Sequence, residues 1–224
     1  MHSSITPDGG PLYTETNFDH FIREPFNATT AVLYLFLAIY WIIQIQKNKN
    51  LQSRFLMFAL PVLAIGGIGG TLFHAFRTHW LFLMLDVMPI LILSVFVSLM
   101  YWKKSLKHRS GPFLVVAGFF LIQQAIFKFV PRPYSINLSY FWMSVFVATP
   151  LILYFYKKNK KLLPKVFLSF GLFSLALFFR SYDLHSKEIL PIGTHWLWHL
   201  VALFAIHFLI QVVALDTNKK QTQR

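Results

Sequence analysis

Residues 194–215 read THWLWHLVALFAIHFLIQVVAL, a run of 22 positions with no Asp, Glu, Lys or Arg. About 20 apolar residues suffice to cross a bilayer as a helix. This stretch therefore predicts a transmembrane helix. It also opens on two histidines, His195 and His199, four residues apart. On a helix that spacing places both on one face, one turn apart. Working outward, six further apolar segments fall at 28–46, 55–76, 81–102, 112–131, 138–156 and 164–181. The expected fold is an all-α, seven-helix, polytopic membrane bundle spanning 28–215. An outer segment, 1–27, precedes it and a tail, 216–224, follows.

Composition agrees. The 224 residues are 56% hydrophobic and 13% charged, about half the charge of a soluble domain. No cysteine is present, which excludes disulfides, thiolate metal sites and cysteine nucleophiles. The first residues carry no apolar core of a signal peptide, so none is expected. The net charge of +13 reads as topology, not as nucleic-acid binding, because it is sorted by loop. Lys47, Lys49 and Arg54 form one group, and Lys103, Lys104, Lys107 and Arg109 the next. Lys157, Lys158, Lys160, Lys161 and Lys165 follow, then Lys219, Lys220 and Arg224. Together they are 15 of the 21 Lys and Arg residues. The positive-inside rule makes these loops cytoplasmic, the N-terminus outside and the C-terminus inside.

This topology brings polar residues to one layer. His74 ends the second helix, Asp86 opens the third, and His195 and His199 open the seventh. Glu24 and Asn27 flank the start of the first. Ionisable groups at membrane depth are costly and mark function. Three histidines are the ligand set of a catalytic zinc, which keeps a fourth position for water. Asp86 has two chemical readings, a fourth ligand or a base that takes a proton from water. Three histidines already suffice, so the base is favoured; a plain salt bridge to Arg77 or Arg180 is the structural reading. His79 and His185 fall in outer loops, His207 reads as hydrogen-bonded inside the bundle, and Arg180 as snorkelling to the interface.

The stretches Glu24-Pro25-Phe26-Asn27, Leu72-Phe73-His74, Leu85-Asp86 and His195-x-x-x-His199, taken in this order, resemble the alkaline ceramidase family. It belongs to a superfamily of seven-helix membrane hydrolases that includes the adiponectin-receptor type. The resemblance implies an intramembrane amidase that cleaves ceramide into sphingoid base and fatty acid. It implies zinc on His74, His195 and His199, with Asp86 as the acid. It also implies calcium on Glu15, Asn17 and Glu24, whose oxygens suit that ion. The family's Asp-Trp pair upstream is missing. The family serine four residues before the first histidine is Gly70 here, which leaves Thr71 as the neighbouring hydroxyl. Alternatives are another N-acyl lipid amidase or a lipid esterase, a haem protein using histidine pairs, and a receptor-type bundle. A membrane lipid is the expected partner, with the site near the non-cytoplasmic face.

Overall fold

A computed structural model describes residues 6–132 and 134–221, with side chains described as far as Asp216. Eight α-helices form among these residues: α1 (Pro25–Ala31), α2 (Leu33–Lys47), α3 (Arg54–Phe76), α4 (Trp80–Ser105), α5 (Gly111–Phe129), α6 (Tyr134–Lys158), α7 (Leu163–Tyr182) and α8 (His195–Gln221). They give seven helical spans long and apolar enough to cross a membrane, with α1 and α2 counted as one. The fold is thus an all-helical, multi-pass bundle. The sequence boundaries hold to within a few residues at most ends. The last helix is longer than expected, continuing to Gln221 through much of the predicted tail. The side chains of Lys219 and Lys220, and all of Arg224, lie outside the described residues.

The first span is expected as one helix but breaks at Val32. Thr29 and Thr30 donate to the carbonyls of Pro25 and Phe26, four residues back, at 2.7 and 2.8 Å. Such back-bonding competes with the helical ladder and bends it.

Helices α2, α3, α4, α6, α7 and α8 form a closed ring of neighbours, and α5 packs outside it on α4 and α6. Large apolar side chains such as Phe36, Ile65, Leu121, Phe167 and Phe178 are exposed on the perimeter, as expected where lipid is the solvent. Close helix approach rests on small residues. A Cβ at Gly69 would lie 2.5 Å from the backbone of Leu85, and one at Gly67 would lie 2.5 Å from Leu35 N. At the end bearing the lysine-rich loops, Asp216 accepts from Lys104 at 2.5 Å and Tyr154 at 3.1 Å. This ties α4, α6 and α8 together. At the opposite end, residues 6–24 fold over the helix ends as a strap, and the candidate site lies beneath it.

Candidate metal centre

His74 comes from the last turn of α3, and His195 and His199 from the first turns of α8. All three are buried. One ring nitrogen of each lies within 4.8 Å of those of the other two. The ring centroids are 4.8 to 5.3 Å apart. The sequence places these residues at one depth; the structure brings them to one point.

The surroundings orient each ring. His74 Nδ1 meets Glu24 Oε2 at 2.5 Å, which leaves Nε2 buried with no partner. His199 Nδ1 meets Thr30 Oγ1 at 2.9 Å and the Asn27 carbonyl at 3.1 Å. A carbonyl only accepts, so Nδ1 carries the proton and Nε2 is the free lone pair. The bent first span supplies both of these contacts. His195 Nδ1 is buried and unpartnered, and the ring stacks on Tyr13 at 3.8 Å. Buried nitrogens normally find partners. Buried unpartnered nitrogens on His74 and His195, within 4.8 Å of a ring nitrogen of His199 and with carboxylate and carbonyl partners behind two of the rings, form the donor set of a small ion. The three histidines could therefore hold a metal ion, and three imidazoles are a donor set that suits zinc chemically.

Glu24 is the hub of the outer layer. It is 0% exposed. One carboxylate oxygen takes His74 and Asn27 Nδ2, at 3.2 Å; the other takes Thr16 Oγ1 at 2.6 Å and the Arg77 guanidinium. Burial works against its charge, but His74, Arg77 and Thr16 outweigh that and hold the carboxyl below its usual range. Arg77, 1% exposed, closes α3 in the left-handed region at φ 50°. That conformation costs a non-glycine residue about 1–2 kcal/mol. Its bonds over-determine it: Asp8 at 2.6 and 3.2 Å, the Pro11 carbonyl at 2.8 Å, and Glu24.

The sequence reads Asp183, beside Arg180 at the outer end of the sixth span, as a residue that could gate or pair; in the structure it is a cap. It is buried and accepts from the backbone N–H of Thr194 at 2.7 Å and of His195 at 2.8 Å. Its other oxygen accepts from Thr14 N at 2.8 Å. It therefore caps the histidine helix from a different loop and pins the strap beside it. Gly193, at φ 71°, makes this possible, since a Cβ there would strike Asp183 and Thr14. A weak signal existed: Gly-Thr directly before the helix marks a turn. The identity of the distant acid did not follow from spacing.

The oxygens expected to hold calcium are otherwise engaged. Glu15 accepts from the N–H groups of Phe26 at 2.5 Å and Asn27 at 2.9 Å, so it caps α1, where an anion is favoured. Burial pushes its carboxyl up against those two bonds. Asn17 Oδ1 accepts from Asp19 N at 3.0 Å. Both Glu24 oxygens are taken as described. Glu15, Asn17 and Glu24 face protein donors in this arrangement. Arg77 is the cation beside Glu24.

Asp86 makes no salt bridge among the described residues and lines the cavity together with His195 and His199. Gly70 is what admits it, because a Cβ there would lie 2.6 Å from Asp86 Oδ1. Thr71 turns elsewhere: its hydroxyl donates to Gly67 O of its own helix at 2.7 Å. His207 makes no side-chain hydrogen bond among the described residues and sits among Tyr40 and Trp41, with ring centroids at 6.0 and 5.5 Å. Arg180 does not snorkel outward. It lines the same cavity as Asp86. His79 caps the start of α4, accepting from Leu81 N.

That cavity runs inward from the histidines, past Leu60, Leu63 and Ile206, to Phe55 and Val213 near the far end of the bundle. His195 to Val213 corresponds to about 27 Å of helix. No protein-family model matches the chain, and a search of curated proteins found no match.

Proposed function

We propose that the protein is a zinc-dependent intramembrane amidase acting on N-acyl lipids of the ceramide class. The observation that carries the reading is the cluster of His74, His195 and His199 ring nitrogens, two of them buried without a partner, at the head of a long apolar cavity that also holds Asp86. Zinc bound there supplies a Lewis acid and lowers the pKa of water toward neutrality. The chain's residues do the rest. Glu24 fixes the His74 ring, and Thr30 with the Asn27 carbonyl fixes His199. Asp86 takes a proton from the attacking water and returns it to the leaving nitrogen. The oxygen of water ends on the acyl carbon, the C–N bond breaks, the amine leaves as –NH2 with the returned proton, and the carboxylic acid keeps the second water proton until it ionises. The apolar cavity holds one acyl chain. The lysine-rich loops lie at the opposite end of the bundle, so the positive-inside rule puts the site near the non-cytoplasmic face.

The ceramide class comes from the resemblance of the motifs. A specific observation favours keeping other acyl lipids beside it: the family serine position is Gly70, and Asp86 fills that space. A haem reading fits less well, because the three rings crowd one point within 5.3 Å and leave no plane for a macrocycle between them. The test is to incubate zinc-loaded protein with N-palmitoyl sphingosine and with a total lipid extract. Release of sphingosine and palmitate supports the proposal. Turnover of a different N-acyl lipid or an ester moves the substrate, and no turnover of any acyl lipid overturns it.

A further inference from the structure

The strap end of the bundle holds two arginines, and the molecule treats them differently. Arg77 pairs with two carboxylates and donates further to Thr6, Thr16 and the Pro11 carbonyl. Arg180, in the last turn of α7, makes one side-chain hydrogen bond, a long one of 3.5 Å to Tyr13 OH. Its Nε is shut off from solvent with no partner. No carboxylate among the described residues forms an ion pair with it. The rings of Tyr140, Trp198 and Tyr13 surround it at 5.0, 5.6 and 5.9 Å. Ring faces offset part of the charge, but they accept none of the in-plane hydrogen bonds for which a guanidinium has five donors. Asp86 acts on Arg180 electrostatically from the same cavity but forms no ion pair with it, and a cation at membrane depth without a direct partner is costly unless something completes it. Arg180 lines the cavity shared by Asp86, His195 and His199, so what completes it enters from that cavity.

The walls define the ligand. Beyond the polar head the cavity is lined by apolar side chains along most of the bundle, which calls for a single long chain. The planar fork of a guanidinium matches a carboxylate with two parallel bonds. One guanidinium also balances one charge, which suits a carboxylate better than a phosphomonoester. We propose that Arg180 is the receptor for the carboxylate of a long-chain fatty acid lodged beside the three histidines. The inference deepens the amidase reading, because hydrolysis of an N-acyl lipid generates this group at the histidines. A free fatty acid drawn from the bilayer carries the same chemistry.

The test measures binding of palmitate and of hexadecanol to detergent-purified wild type, Arg180→Gln and Arg180→Lys, with thermal unfolding as a check on folding. Palmitate should bind Arg180→Gln about tenfold or more weakly than wild type, while hexadecanol binds all three alike. Equal palmitate binding by wild type and Arg180→Gln overturns the proposal. So does equal loss of palmitate and hexadecanol, which would make Arg180 a shaper of the cavity. If Arg180→Gln does not purify folded, Arg180→Lys decides: palmitate must weaken while hexadecanol holds. Inhibition of N-acyl lipid turnover by palmitate, abolished in Arg180→Gln, identifies the site as the product's. Arginine-dependent palmitate binding by protein that hydrolyses nothing keeps this inference and overturns only the amidase reading.

Discussion

Glu24 is the residue on which the site's order depends. It joins the ring nitrogen of His74 to the guanidinium of Arg77 with no exposure to solvent. Partners behind a ligating histidine typically contribute 10- to 100-fold in metal affinity. Glu24→Gln should therefore weaken zinc binding by about 10- to 100-fold, read by competition with a chelating dye. Unchanged affinity would reduce Glu24 to a structural ion pair. Asp86 should behave in the opposite way. It contacts no histidine directly by hydrogen bond or ion pair, so Asp86→Asn should keep its zinc and lose about 10²- to 10⁴-fold in turnover. Loss of zinc together with activity would make Asp86 a ligand.

At the scale of elements, the strap of residues 6–24 is held at several points, among them Arg77 to Asp8, Glu15 to the start of α1, and Thr14 to Asp183. Burial works against the charge on Asp8, but bonds from Arg77, Thr6 and Gly10 hold its carboxyl below the usual range. A depressed carboxyl adds stability that is present above its unfolded pKa of about 3.9 and lost as pH falls through the folded value. Limited proteolysis should find the strap protected at neutral pH and released only in strong acid. Asp8→Asn should be cut faster than wild type at neutral pH, and removing calcium with EGTA should change neither. Equal protection of Asp8→Asn would show that the strap does not depend on this pair. Protection lost with EGTA would restore a calcium site.

The same elements show what could be read in advance. Long apolar runs announced the spans, even the fourth, which Gln123, Gln124 and Lys128 interrupt, because no other use of 20 such residues is common. The histidines and Asp86 announced themselves by standing at one end of those runs. The strap did not. Tyr13 on His195, Thr14 on Asp183 and Asp8 on Arg77 join residues 69 to 182 positions apart, within a segment of ordinary polar composition. No periodicity encodes such pairings. Thr71 misled because helical spacing gives a face but not a rotamer: its hydroxyl bonds back to Gly67. Arg180 misled because an arginine near a helix end usually reaches outward, whereas three rings hold this one inside.

The whole molecule is a closed ring of helices with the candidate site at one end and the basic loops at the other. The proposed orientation, from the positive-inside rule, has the site toward the non-cytoplasmic side. The absence of native cysteine makes this simple to test. An impermeant thiol reagent added to intact cells should label Glu188→Cys, an exposed position in the loop beside the site, and should spare Lys107→Cys until the membrane is opened. The reverse pattern would invert the bundle.

The most direct measurement is the metal content of detergent-purified wild type beside His195→Ala. About one zinc per chain in wild type, lost in the variant, is the result expected of a three-histidine centre. No zinc in either protein after supplementation with the metal would contradict the centre, and the hydrolase chemistry with it.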